Sequence, residues 1–191
     1  MNAIQKTKLS EDAPIFTLSH VLSPEECQRF VRAAEGAGFA DAPITVGVNR
    51  FMMAPEIRNN LRVIVDDPAQ ASWLWERIAP FVPAELGHYH AVGLNERFRY
   101  YRYEPGQYFR WHRDGAFVRS RDEQSLLTVL LYLNEDFVGG STDIQHHDGE
   151  IRVEPRSGLA LLFSHPLCHQ GAPVVRGMKY VLRTDVMYAR S

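Results

Sequence analysis

From Arg97 onward, bulky and β-branched residues come in short runs: FRYYRYE, YFRWH, SLLTVLLYLN, STDIQ, EIRVE, GLALLF, HQGAPVV and KYVLRTDVMY. Tyr, Phe, Val and Leu suit a pleated, half-buried surface, and the Gly, Pro, Asn and Asp between the runs supply turns. About eight short strands in about ninety residues predict a sandwich or barrel, since a sheet must bury its apolar face against another layer.

The first half of the chain reads differently. In SPEECQRFVRAAEGAGF, Ser23 can cap a helix, Pro24 suits its first position, and Glu25 and Glu26 favour its positive end. The spacing predicts a helix over Pro24–Glu35 that buries Cys27, Phe30, Val31 and Ala34 and is stopped by Gly36 and Gly38. A second helix is expected in DDPAQASWLWERIAPFV, capped by Asp67, begun by Pro68, and apolar at Trp73, Leu74 and Ile78. The N-terminal half is therefore expected to supply helices packed outside one sheet, with the first dozen or so residues unstructured. With 191 residues, 45% hydrophobic and 23% charged, the chain is expected to form one domain over 1–191, mainly β with supporting α-helices.

A net charge of −2 gives no global reason to expect a duplex nucleic acid or an anionic membrane as partner, although Arg113, Arg119 and Arg121 could form a local basic patch. Cys27 and Cys168 form no CxxC pair and no disulfide framework, which favours a reducing, cytoplasmic setting. No apolar run reaches the roughly 18 residues of a membrane span, and no apolar segment follows the basic residues of the N-terminus as in an export signal.

In YFRWHRD, His112 and Asp114 stand two apart, so an extended chain projects both from one face. The pair alone is weak, because His146 and Asp148 repeat the spacing beside Gly149, where a turn between strands is expected. Two imidazoles and one carboxylate on a common face would leave coordination positions open, as in non-haem Fe(II) oxygenases. His169, at the start of HQGAPVV, is the candidate third ligand; His165, beside Pro166 in the preceding turn, is its rival. Further on, Lys179, Val181, Arg183 and Asp185 share one strand face. Buried charge is costly unless paired, and a bound dicarboxylate would pair with one of these cations.

The segments YEPGQYFRWHRD, TVLLYLNEDFVGGSTDI and PRSGLALLFSHPLCHQGAPVVRGMKYVLRTDVMY together resemble the catalytic core of the prolyl 4-hydroxylase-like Fe(II)- and 2-oxoglutarate-dependent dioxygenases. The likeness spans Arg97 to Tyr188 and rests on the ordered series HxD, YLN, GG, PxxG, distal His and a Lys ten residues on (179 − 169 = 10). It implies a double-stranded β-helix of jelly-roll, cupin-like form over 97–188, with 1–96 as helical support and a substrate-selecting region. It also implies Fe(II) as the metal, held by His112, Asp114 and His169, and 2-oxoglutarate and dioxygen as co-substrates, with ascorbate as an auxiliary reductant. Lys179 would anchor the far carboxylate of 2-oxoglutarate, with Tyr103 as a supporting donor and Tyr101 as the neighbouring alternative. Arg183 is free to hold Asp185, a carboxylate beside the metal, or substrate. Gly139 and Gly140 match the GG element, where a turn needing positive φ accounts for them equally well.

The expected activity is hydroxylation of an unactivated C–H of a polypeptide side chain such as proline. A free amino acid or other small metabolite is the alternative substrate. A non-catalytic cupin-type metal- or ligand-binding module is the alternative from another class, and it leaves Lys179 without a role. A zinc hydrolase is disfavoured because no general-base glutamate adjoins the HxD. Asn59, Asn60 and Arg62 either line a substrate groove or form a polar loop leading into a strand.

Overall fold

The computed structural model describes residues 3–47 and 50–190. Its framework is a large antiparallel sheet built from β1 (Gln5–Lys8), β2 (Ile15–Ser19), β3 (Leu61–Asp66), β4 (Tyr89–Leu94), β5 (Arg97–Tyr103), β7 (Glu123–Tyr132), β10 (Ala160–Ser164) and β12 (Lys179–Arg190), ordered β1-β2-β10-β7-β12-β5-β3. The long β12 pairs with β5 through Lys179–Arg183 and with β4 through Val186–Arg190. A smaller sheet contains β6 (Phe109–His112), β8 (Thr142–His146), β9 (Gly149–Val153) and β11 (His169–Gly171), ordered β6-β11-β8-β9.

Alternation along the strands of the large sheet divides the interior in two. On the outer face, Phe98, Tyr100, Val129, Leu131, Leu182 and Val186 pack against two helices. These are α1 (Pro24–Ala37), which contributes Cys27, Phe30 and Ala34, and α2 (Pro68–Ile78), which contributes Leu74 and Ile78. On the inner face, Tyr101, Tyr103, Leu130, Tyr132 and Val181 meet Ile144 and Val153 of the smaller sheet. The polar and charged residues of the site lie among this second set.

The helices follow the expected signals. Ser23 and Glu26 form a reciprocal capping box, and Asp67 accepts from the Gln70 N–H at 2.9 Å. Gly36 lies inside α1 rather than ending it; Gly38, at φ 84°, is the cap. Among the described residues, no helix is long and apolar enough to cross a membrane. Beside the expected helices, the N-terminal half supplies several strands. Gln5–Lys8, expected to be unstructured, pairs with β2 although its side chains are exposed, so backbone pairing rather than burial orders it. The run HQGAPVV is two strands, His169–Gly171 and Val174–Arg176, divided at Ala172 and Pro173, because proline has no N–H to continue a ladder.

Candidate active site

β6 and β11 pair so that His112 lies directly across from His169, with ring centroids 4.2 Å apart. Asp114, just past β6, is fixed by its own N–H, which donates to the His165 carbonyl at 3.1 Å. Nε2 of His112 lies 3.7 Å from Asp114 Oδ1, and Nε2 of His169 lies 3.6 Å from Asp114 Oδ2. The opposite ring nitrogens face carbonyl oxygens: His112 Nδ1 donates to Arg110 O at 2.7 Å and His169 Nδ1 to Leu167 O at 3.0 Å. A carbonyl only accepts, so both protons sit on Nδ1 and both Nε2 lone pairs point at the carboxylate. Burial and the neighbouring His169 push His112 down to about 3, and burial lowers His169, so both rings are neutral near pH 7. Two neutral imidazoles and one carboxylate, converging without hydrogen-bonding one another, fit a divalent transition metal.

The carboxylate is held at both oxygens. Arg183 Nη1 approaches Oδ1 at 2.7 Å, and the Thr128 hydroxyl donates to Oδ2 at 2.6 Å. Burial alone would raise the Asp114 pKa, but Arg183 and then the two histidines hold it well below the carboxylate range. With its proton committed to Asp114, the Thr128 oxygen accepts from His165 Nδ1 at 2.9 Å. His165 Nε2 is then left to accept from the Ser125 hydroxyl at 2.8 Å, and Ser125 Oγ accepts from the Phe117 N–H at 2.8 Å. These donors and acceptors form a directed chain ending on Asp114. His165, in the turn beside Pro166, is 4% exposed and has both nitrogens engaged.

Lys179, Tyr103, Tyr101 and Arg183 line the same cavity as the His–Asp–His group. Lys179 is 2% exposed, and its ammonium donates to Gly140 O at 2.6 Å. It has no carboxylate within ion-pair distance among the described residues, and burial lowers its pKa to about 7 against the pull of Asp143 and Glu154. An anion entering this end of the cavity would find an unpaired cation. Tyr103 lies across the strand pairing from Lys179, with the ammonium 5.1 Å from its ring centre, whereas Tyr101 sits toward Arg183. Gly139 and Gly140 have φ of 79° and 69°, and a Cβ on Gly139 would come within 2.6 Å of the Pro173 carbonyl.

The remaining candidates separate. His146, His147 and Asp148 lie at the turn of the β8–β9 hairpin, where His147 Nε2 is 3.0 Å from Asp12. Asn59 accepts from the Tyr108 N–H at 2.8 Å, and buried Asn60 accepts from Arg58 Nε at 2.8 Å, so both brace the polypeptide. Arg62 is half-buried and makes no ion pair among the described residues.

The model of the 2OG-Fe(II) oxygenase superfamily matches residues 98–184, a span that contains His112, Asp114, His169, Lys179, Arg183 and both tyrosines. The matched segment is the strand-rich C-terminal half, where the candidate site lies. It is 27% identical over 179 residues to a PKHD-type hydroxylase of Paracoccus denitrificans, covering 87% of this chain and 74% of that protein. It is 28% identical over 195 residues to prolyl 4-hydroxylase 1 of Arabidopsis thaliana, covering 87% and 66%. A prolyl hydroxylase from Trichoplax adhaerens, solved with a hypoxia inducible factor peptide fragment, superposes with a TM-score of 0.72 at 18% identity over 92% of this chain and 84% of that one. The fold is thus the double-stranded β-helix of 2OG oxygenases, and the matching family model implies Fe(II), 2-oxoglutarate and dioxygen.

Proposed function

We propose that this oxygenase hydroxylates an unactivated C–H of a polypeptide side chain such as proline, with His112, Asp114 and His169 binding Fe(II) and Lys179 pairing with the far carboxylate of 2-oxoglutarate. The observation that carries the assignment is the placement of three converging ligand atoms and one unpaired buried ammonium in a single cavity. The names of the relatives, and the peptide held by the Trichoplax enzyme, support a polypeptide substrate.

Bound Fe(II), with 2-oxoglutarate and dioxygen, supplies the oxidising chemistry. The chain's own residues do the rest. The Nδ1–carbonyl bonds aim both imidazoles, Thr128 and Arg183 fix the plane of the carboxylate, and Lys179 sets the direction from which a dicarboxylate enters. Tyr103 and Tyr132 flank the Lys179 ammonium, with ring centres 5.1 and 5.6 Å away. The test is mass spectrometry of a lysate treated with the protein, Fe(II) and 2-oxoglutarate, searched for gains of one oxygen. The expected result is such gains on proline-containing peptides, absent with His169→Ala; gains confined to free metabolites would move the substrate class.

A further inference from the structure

Positive charge exceeds negative on the inner face beside Asp114. Arg58, Arg62, Arg99 and Arg183 gather around Tyr101, with Asp114 and Asp185 as the facing carboxylates. Arg99 pairs with Asp185 at 3.1 Å, while Arg183 pairs with Asp114 at 2.7 Å and with Asp185 at 3.4 Å. Arg58 and Arg62 have no ion-pair partner among the described residues. Arg58, 4% exposed, lies 4.5 Å from the Tyr101 ring centre and 4.4 Å from that of Phe109, and its buried Nη2 has no acceptor. Arg62 lies opposite Tyr101 in the β3–β5 pairing. Burial would raise the Tyr101 phenol, yet Arg183, Arg58 and Arg99 bring it below its ordinary value.

Unpaired buried cations are costly, and an incoming anion offsets that cost. The anion is not 2-oxoglutarate if that molecule engages Lys179 and the His–Asp–His group, because both of its carboxylates are then used. Lys179 and Arg183 are four residues apart on β12, about 13 Å at the usual rise. We propose that this arginine wall receives a carboxylate of the primary substrate, with Arg62 making the direct contact and Arg58 and Arg99 behind it. The inference rests on the oxygenase reading above. The carboxylate is an Asp or Glu side chain near the modified residue of a peptide, or the acid group of a small molecule.

The test is equilibrium dialysis of the protein loaded with Ni(II) and 2-oxoglutarate against capped peptides Ac-Xaa-Ala-Pro-Ala-Xaa-NH2, with Xaa Glu, Gln or Lys, and against N-acetylproline and its amide. The Glu peptide should be retained about tenfold more than the Gln peptide, as for one charge-assisted contact. Arg62→Gln should abolish the preference and Arg62→Lys keep most of it, with 2-oxoglutarate affinity unchanged in both. Preference for N-acetylproline over its amide, without a Glu preference, places the carboxylate on a small molecule and supports the wall. Equal retention of every matched pair, including no retention, overturns it, as does loss of 2-oxoglutarate affinity in Arg62→Gln. Failure of Ni(II) or 2-oxoglutarate to bind would instead refute the oxygenase site assignment.

Discussion

Asp114 depends on residues that never reach the cavity centre. Thr128 donates to it only because His165 supplies a proton from the other side, and His165 does so only because Ser125 occupies Nε2. Thr128→Val keeps the shape and removes the hydroxyl, so Ni(II) affinity should fall about 10- to 100-fold, while Thr128→Ser should restore it. Unchanged affinity in the valine variant would show that Arg183 alone orients the carboxylate. Lys179 gives a second expectation. Its ammonium is present below about pH 7 and lost above it in the free protein, so 2-oxoglutarate affinity should weaken as pH rises through that range. Lys179→Ala should raise the apparent KM for 2-oxoglutarate by about two orders of magnitude, equivalent to about 3 kcal/mol, and flatten the pH dependence. Arg183→Ala should change that KM far less; the reverse order would move the anchor to Arg183.

At the scale of elements, most of the C-terminal half is legible in the sequence because its strands alternate and its turns carry Gly and Pro. Ser125 and Thr128 are not, since a separation of three residues on a regular strand places them on opposite faces. The register of β7 against β12 shifts between Ser125 and Leu127, and this bulge lets both reach His165. Arg58 escapes a sequence reading because its burial depends on Tyr101 and Phe109, which are distant in the chain. The N-terminal strands escape it because they are short elements whose order depends on pairing, with β2 docked on the remote β10. Glycines give a direct comparison. Gly139→Ala should destabilise by about 1–3 kcal/mol, since its φ is positive and a Cβ would meet the Pro173 carbonyl. Gly36→Ala in α1, with nothing within 4 Å of the new Cβ, should stabilise by about 0.5–1 kcal/mol. Urea unfolding of the two variants measures both, and similar shifts would contradict the backbone argument.

Across the whole molecule, the site joins the two sheets. His112 and His169 belong to the smaller sheet, Lys179 and Arg183 to the larger one, and Asp114 is tied to the larger sheet through Thr128 and Arg183. Ligands that engage both sides should therefore stabilise the fold as a unit, by about 2.7 kcal/mol for each at a hundredfold excess over its Kd. For a chain of this size that is a rise in Tm of about 5–10 °C. Ni(II) should raise Tm in the wild type, and 2-oxoglutarate should raise it further. Lys179→Ala should keep the metal response and lose the 2-oxoglutarate response, whereas His169→Ala should lose both, because a dicarboxylate anchored at one end alone bridges nothing. A 2-oxoglutarate response that persists in His169→Ala, or one that needs no metal in the wild type, would place the co-substrate away from the His–Asp–His group.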